Sequence, residues 1–291
     1  MSAIGSLRTA VRTLRRTPLL FGVAFAYGLA LLPQTALQFL GVPLASVALQ
    51  AAAFFVGPFA LAGVVGLAAN ALDGAPVGVG SFVRSGKENY VRVLLGTILE
   101  TAIVLVFVAA FVFGTIVVGV AAVGSGAGAE AVLPSVLAVA LLAGVPYLVV
   151  AFFIQFFPVA IVVDDAGVSD AFARSYQLVR ANLRSALGYS IVAHGVSLLL
   201  SAPVVAYVVY RSLDGFAGIG ADAAAGSGAG PVPGMVRTAL SPPEVAAVSV
   251  ASLAATTATF AFLHTYAVAF FTETDRSSPN RVRPRAGRRY R

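Results

Sequence analysis

The sequence predicts an all-α integral membrane protein with six transmembrane helices, cytoplasmic interfacial amphipathic helices and an internal duplication. Three observations lead there: an apolar composition, six long apolar runs, and basic residues gathered in alternate connections. Of 291 residues 59% are hydrophobic and only 11% charged, against about 25% charged in an average soluble domain. Too little polar surface is left to face water on all sides. The net charge of +7 would suit nucleic acid if it were spread over a surface. It sits instead at loops and tails, so no nucleic-acid partner is expected. With no cysteine in the chain, disulfide frameworks and thiolate metal sites are excluded, and neither a metal nor a cofactor is expected.

Residues 1–17 read as an amphipathic segment. Ile4, Leu7, Val11 and Leu14 share one helical face, and Arg8, Arg12, Arg15 and Arg16 take the others. The apolar run at 19–40 exceeds the about 7–15 residues of a signal-peptide core, so it reads as the first span rather than as a cleaved leader. A helix needs about 20 apolar residues to cross roughly 30 Å of hydrocarbon. Five further runs meet that need, near 44–69, 93–120, 133–163, 186–210 and 245–271. The third and fourth are long enough to tilt or overhang. A transmembrane domain over 18–272 then leaves 273–291 as a tail. There Arg276, Arg281, Arg283, Arg285, Arg288, Arg289 and Arg291 crowd among Ser, Pro and Gly, a composition that predicts disorder and attraction to anionic headgroups of about 1 kcal/mol per charge.

Orientation follows from the connections. With the N-terminus inside, the inner segments hold the four N-terminal arginines, then Arg84, Lys87 and Arg92, then Arg174, Arg180 and Arg184, then the seven of the tail. Only Arg211 and Arg237 fall outside. This asymmetry predicts a multi-pass protein of the plasma membrane with both termini cytoplasmic. The outer connections are the turn at Gly41-Val42-Pro43, the Gly124–Gly128 link, and a loop over 211–243 containing Gly226-Ser227-Gly228-Ala229-Gly230-Pro231-Val232-Pro233. No strand leads into these glycines and no Gly-Lys-Ser follows them, so they read as linkers rather than phosphate loops.

Two blocks repeat. Phe82-Val83-Arg84-Ser85 is followed by Asn89, Arg92 and Gly96, and Phe172-Ala173-Arg174-Ser175 by Asn182, Arg184 and Gly188. Each block lies between an incoming and an outgoing span. In the second, Val168, Phe172, Tyr176, Val179, Leu183 and Leu187 recur at helical spacing with Asp170, Arg174, Gln177, Arg180 and Arg184 on other faces, the pattern of a helix lying on the membrane surface. Asp164 and Asp165 supply caps ahead of it. The first block, interrupted by Gly80 and Gly86, carries the pattern more weakly. Arg84, Arg92, Arg174, Arg180 and Arg184 become candidate contacts for lipid headgroups.

This unit resembles the polytopic membrane domain associated with some bacterial glycerophosphodiester phosphodiesterases and related prokaryotic integral membrane families. The resemblance covers about 44–271. It implies a six-helix module of unassigned activity and brings no phosphodiesterase catalysis, because the catalytic domain has no counterpart. Eighteen arginines to one lysine point to a GC-rich, halophilic prokaryotic source.

Ionisable groups at membrane depth are functional candidates by default. Counted at about 1.5 Å per residue from the inner edge, Glu100, His194, His264, Gln155 and Tyr27 fall in one layer. Gly96, Thr97, Glu100 and Thr101 share a side of the third span. Ser190, His194, Ser197 and Ser201 form a stripe on the fifth, and Thr257 aligns with His264 on the sixth. Two readings stand open: a site for a proton, ion or polar headgroup, with Glu100 as proton acceptor and a histidine as partner, or plain interhelical hydrogen bonding, typically below about 2 kcal/mol per contact. Gln34 and Gln38 favour structural bonding. Pro33, Pro58, Pro146, Pro158 and Pro203 interrupt spans that neighbours must repair, and Gly114, Gly119, Ala62 and Gly66 mark close packing.

No metalloprotease, nucleophile-elbow or Walker motif occurs, so a non-enzymatic role is expected. The leading expectation is a transporter-like protein, or a transporter or lipid-handling subunit. The alternative is a membrane scaffold acting through its basic cytoplasmic surface. Expected partners are membrane lipids, with protein partners or a second copy of the chain. Both repeat blocks lie on the inner side, so the duplication is parallel rather than inverted, which weighs against the commonest transporter symmetry.

Overall fold

Each apolar run becomes a helix for the same reason: in hydrocarbon only a helix satisfies its own backbone. The computed structural model describes residues 3–40, 43–126, 129–224 and 240–277. Among them lie nine helices: α1 (Ala3–Arg16), α2 (Leu19–Phe39), α3 (Pro43–Leu72), α4 (Val79–Ser125), α5 (Ala129–Ile154), α6 (Phe157–Val163), α7 (Val168–Ala181), α8 (Leu183–Ala224) and α9 (Pro242–Ser277). Six stretches of the described residues are long and apolar enough to cross a membrane: Leu19–Phe39, Leu44–Leu72, Val79–Ser125, Val132–Val163, Leu183–Arg211 and Pro242–Arg276. The protein is an all-helical, multi-pass membrane protein, and the six expected spans fall on these six stretches. The Gly226–Pro233 linker, Arg237, and the tail from 278 onward lie outside the described residues.

Helix α3 sits centrally, packed on α2, α4, α6 and α9, and α9 also packs on α1, α2 and α8. The core is concentrated at one end of the bundle. Leu20, Val23 and Ala24 of α2, Val64, Val65 and Leu67 of α3, Phe156, Phe157 and Ile161, Val179 of α7, and Tyr266, Phe270 and Phe271 of α9 are all buried there. Toward the other end, Val106, Phe113 and Val120 of α4, Leu133 and Leu142 of α5, and Leu198 and Leu199 of α8 are exposed. Those apolar faces are what a lipid environment covers.

Four features differ from the sequence expectation. The buried face of α1 is Ala3, Ser6, Ala10, Thr13 and Leu14, while Ile4 is exposed and Leu7 and Val11 are half-buried. Small residues let α1 approach α9 closely, and the contact is locked where the Tyr266 hydroxyl donates to the Ala3 carbonyl (3.0 Å) and Ser6 Oγ donates to Glu273 (2.7 Å). The first repeat block is no separate surface helix. It is the start of α4, 47 residues without a break, roughly 70 Å at 1.5 Å per residue, with Gly86 lying against the Phe59 ring. The second block does part from its span, at Asn182 (φ −133°, ψ 38°), so Leu183 and Leu187, assigned to the surface helix by periodicity, belong to α8. Finally, α9 runs on to Ser277, past the boundary at 272. Its last turns are held by acidic and basic partners: Glu273 with Ser6, Asp275 with Arg174, and Arg276 with Asp73 at 3.0 Å.

Candidate functional site

The break between α5 and α6 organises the site. Pro158 has no N–H to donate back along the helix, and the chain departs from helical geometry at Gln155 and Phe156 (φ −101°, ψ 5°). Ser175 of α7 repairs the gap from outside. Its hydroxyl donates to the Phe153 carbonyl (2.8 Å) and accepts the Phe156 N–H (3.0 Å), standing in for backbone partners that the ladder lost. The Gln155 side chain is turned and anchored, with Nε2 donating to the Phe152 carbonyl (2.8 Å) and Oε1 accepting from Ser190 Oγ of α8 (3.0 Å).

Beside this break lies a cavity of about 290 Å³. Helix α3 contributes Leu61 and Val65, α4 contributes Glu100, and the break contributes Gln155, Phe157 and Pro158. Tyr189, Ala193, His194 and Ser197 come from α8, and Leu263, His264 and Ala267 from α9. Four of the five residues expected in one polar layer therefore meet at one cavity: Glu100, Gln155, His194 and His264. Tyr27 does not line it. Its ring packs on Phe260 (centroids 4.6 Å apart), and Phe260 packs on His264 (4.3 Å), so Tyr27 stands one layer behind.

The hydrogen bonding fixes how each polar group presents itself. His194 Nδ1 lies 2.8 Å from the Ser190 carbonyl, and His264 Nδ1 lies 2.7 Å from the Phe260 carbonyl. A carbonyl only accepts, so each Nδ1 carries the proton and each Nε2 is left to act outward. Ser197 Oγ donates to the Ala193 carbonyl (2.8 Å). Glu100 is half-buried, and no described residue gives it a hydrogen bond or ion pair. Among the described residues no three acidic or imidazole groups are grouped so as to cage a metal ion.

The candidate headgroup arginines divide. Arg84, Arg180 and Arg184 are exposed. Arg92 is committed within the chain, 2.6 Å from Asp165 and donating to the Asp165 carbonyl and to Asn89 Oδ1. Arg174 is held between Asp164 (3.1 Å) and Asp275, above the Phe271 ring. Burial pulls the Arg174 guanidinium down, but its hydrogen bonds to the two carboxylates outweigh that and raise it. These two arginines tie α4 and α7 to their neighbours rather than reaching for lipid. Gln34 and Gln50 join α2 to α3 by a side-chain hydrogen bond, the structural role expected of Gln34.

Tyr189 and the hinge role of Ser175 were not legible as site features. Tyr189, Ala193 and Ser197 follow one another at intervals of four, so stepping back two helical turns from Ser197 of the stripe reaches Tyr189. Nothing in the sequence ties Ser175 to a chain break some twenty residues earlier.

A family model described as "Domain of unknown function (DUF7847)" matches residues 1–274. No curated protein and no solved structure matches the chain.

Proposed function

The chain belongs to the DUF7847 family, whose function is unknown, and from the chemistry of its cavity we propose that it is a non-enzymatic, transporter-like membrane module, or a subunit of one, that handles small polar solutes or lipid headgroups. One observation carries this reading: Glu100, Gln155, His194 and His264, from separate membrane segments, line a single cavity beside a broken helix. Discontinuous helices and inward polar groups near the bilayer interior are what solute sites in transporters are built from. If the layer were only interhelical glue, Glu100 would be expected to bond a neighbouring helix, and no described residue bonds it.

Arginine asymmetry supports placing the α1 and α7 end in the cytoplasm, where α1 and α7 rest against the bundle with Arg8, Arg12, Arg15, Arg16 and Arg180 exposed. A parallel duplication is supported by paired hydrogen bonds: Ser85 Oγ donates to the Ala62 carbonyl (2.9 Å) as Ser175 Oγ does to Phe153, each serine docking on the preceding span. The repeated Phe-x-Arg-Ser blocks likewise support kinship with the membrane domain of some bacterial glycerophosphodiester phosphodiesterases, in a prokaryotic, halophilic source.

The test is flux. Proteoliposomes holding a trapped pH dye are challenged with panels of small amines, carboxylates and polyols. The wild-type protein should give a solute-dependent signal that Glu100→Gln reduces by at least about tenfold, the loss of roughly 1.4 kcal/mol of interaction. Equal signals from both proteins would leave the scaffold reading standing, with partner capture at the exposed arginines as its own assay.

A further inference from the structure

The cavity is rich in acceptors and most of its donors are committed. Both histidine Nδ1–H groups, the Ser197 hydroxyl and the Gln155 amide each donate to a backbone carbonyl, and Ser190 donates to Gln155. Lining the same space are the Glu100 carboxyl group, with no partner among the described residues, and two imidazoles whose Nε2 atoms, in the neutral ring, are acceptors. The uncommitted donors among the lining side chains named are the Tyr189 hydroxyl, which donates or accepts as needed, and the second N–H of the Gln155 amide. An anion entering here would meet a carboxylate and almost no hydrogen-bond donors. A metal ion would need three such ligands close together, and the described residues offer no such group.

We infer that the cavity binds a primary ammonium group carrying a short apolar stem. Its N–H groups are donors only, suited to a space whose lining carries acceptors on three different helices, Glu100 on α4, His194 on α8 and His264 on α9. A bound ammonium supplies the counter-charge that an ionised Glu100 lacks among the described residues. Leu61, Val65, Phe157 and Leu263 provide an apolar wall for the stem. About 290 Å³ is at the small end of ligand cavities, in keeping with a few-carbon amine or the headgroup of an aminophospholipid. This inference rests on reading the cavity as a solute site.

The absence of cysteine makes the test clean, because Ser197→Cys adds the sole thiol, and on the cavity wall. In detergent micelles it is treated with methanethiosulfonate ethylammonium or methanethiosulfonate ethylsulfonate, each rate normalised to that of a free thiol. The ammonium reagent should react at least about tenfold faster, since a like-charged lining repels the sulfonate, and adding Glu100→Gln should bring the ratio near one. In the Ser197→Cys background alone, n-hexylamine should slow labelling while hexanol and hexanoate do not, which keeps the test open if the double variant fails to fold. Equal normalised rates, or protection by hexanoate as good as by hexylamine, would overturn the ammonium assignment while leaving an accessible cavity. A thiol that reacts with neither reagent until the protein is denatured would overturn the solute-site reading itself. Nanodiscs with and without phosphatidylethanolamine separate the two sources: protection by soluble hexylamine alone assigns a free amine, protection by the aminophospholipid assigns a lipid headgroup, and protection by neither overturns the inference.

Discussion

Ser175 accepts one backbone N–H and donates to one backbone carbonyl at the same break. Ser175→Ala leaves the buried Phe156 N–H without that partner. An unsatisfied buried backbone group costs about 1–3 kcal/mol, so this variant should melt well below the wild type. Ser85→Ala, which removes a single bond to the Ala62 carbonyl, should cost about 1 kcal/mol. Thermal unfolding of both in the same detergent checks the order, and a Ser175→Ala protein as stable as Ser85→Ala would deny Ser175 its role at the break. Asp164 gives a second prediction at this scale. Burial pushes its carboxyl above the ordinary range, against the hydrogen bond and charge of Arg174 that pull it down. A carboxyl raised in the folded state contributes stability while protonated. That contribution is full below the unfolded value and is lost as pH rises through the raised one. As pH rises above the ordinary aspartate value of about 4, the wild type should therefore lose stability relative to Asp164→Asn, and parallel melting curves for the two would count against it.

Helix contact depends on what a glycine leaves out. Along α3, a Cβ at Gly63 would come within 2.4 Å of the Phe82 ring, and one at Gly66 within 2.0 Å of Ser85 Oγ, whereas at Gly22 of α2 nothing lies within 4 Å. Gly66→Ala must displace a serine already bonded to α3, and overpacking of this kind costs about 1–3 kcal/mol. Gly22→Ala meets no such obstacle and should gain helix propensity worth up to about 1 kcal/mol. Melting temperatures of the two variants should move in opposite directions. A Gly66→Ala protein as stable as the wild type would mean that α3 and α4 are less tightly joined than these distances require. Phe82 and Ser85 fasten the start of α4 to α3 directly, and that block is continuous with its span, whereas the second block parts from its span at Asn182.

An even number of spans and a core gathered at one end together bring α1 and the end of α9 into contact. Both ends of the described chain therefore lie on one side. With that side cytoplasmic, single cysteines at Arg8 or Lys87 should resist a membrane-impermeant thiol reagent in intact cells and react after permeabilisation, while one at Ser125, exposed at the far end of α4, should react at once. Labelling of the first two in intact cells would reverse the orientation. The loosely covered end, where α4 and α5 expose valine, leucine and phenylalanine, should make the protein more sensitive to detergent chain length than the basic end, since nothing but lipid or a partner shields it.

Composition alone determined the class of this protein, because a chain so poor in charge cannot clothe itself in water, and twenty-residue apolar runs have one structural solution in a bilayer. Depth along each helix was legible by the same token. A rise of about 1.5 Å per residue converts position into height, which is why Glu100, Gln155, His194 and His264 could be assigned to one layer before any contact was known. Which way each side chain turns within that layer was decided by the tertiary structure. Tyr27 has the right height but faces Phe260, while Tyr189, unremarked in the sequence, lines the cavity. Likewise Arg92 and Arg174 carry the charge expected of headgroup ligands, yet the fold places carboxylates against them. Height follows from counting along one helix, but azimuth and partner depend on how helices distant in sequence pack, and in this chain that packing is set by small residues, the Ser175 contact and a broken span.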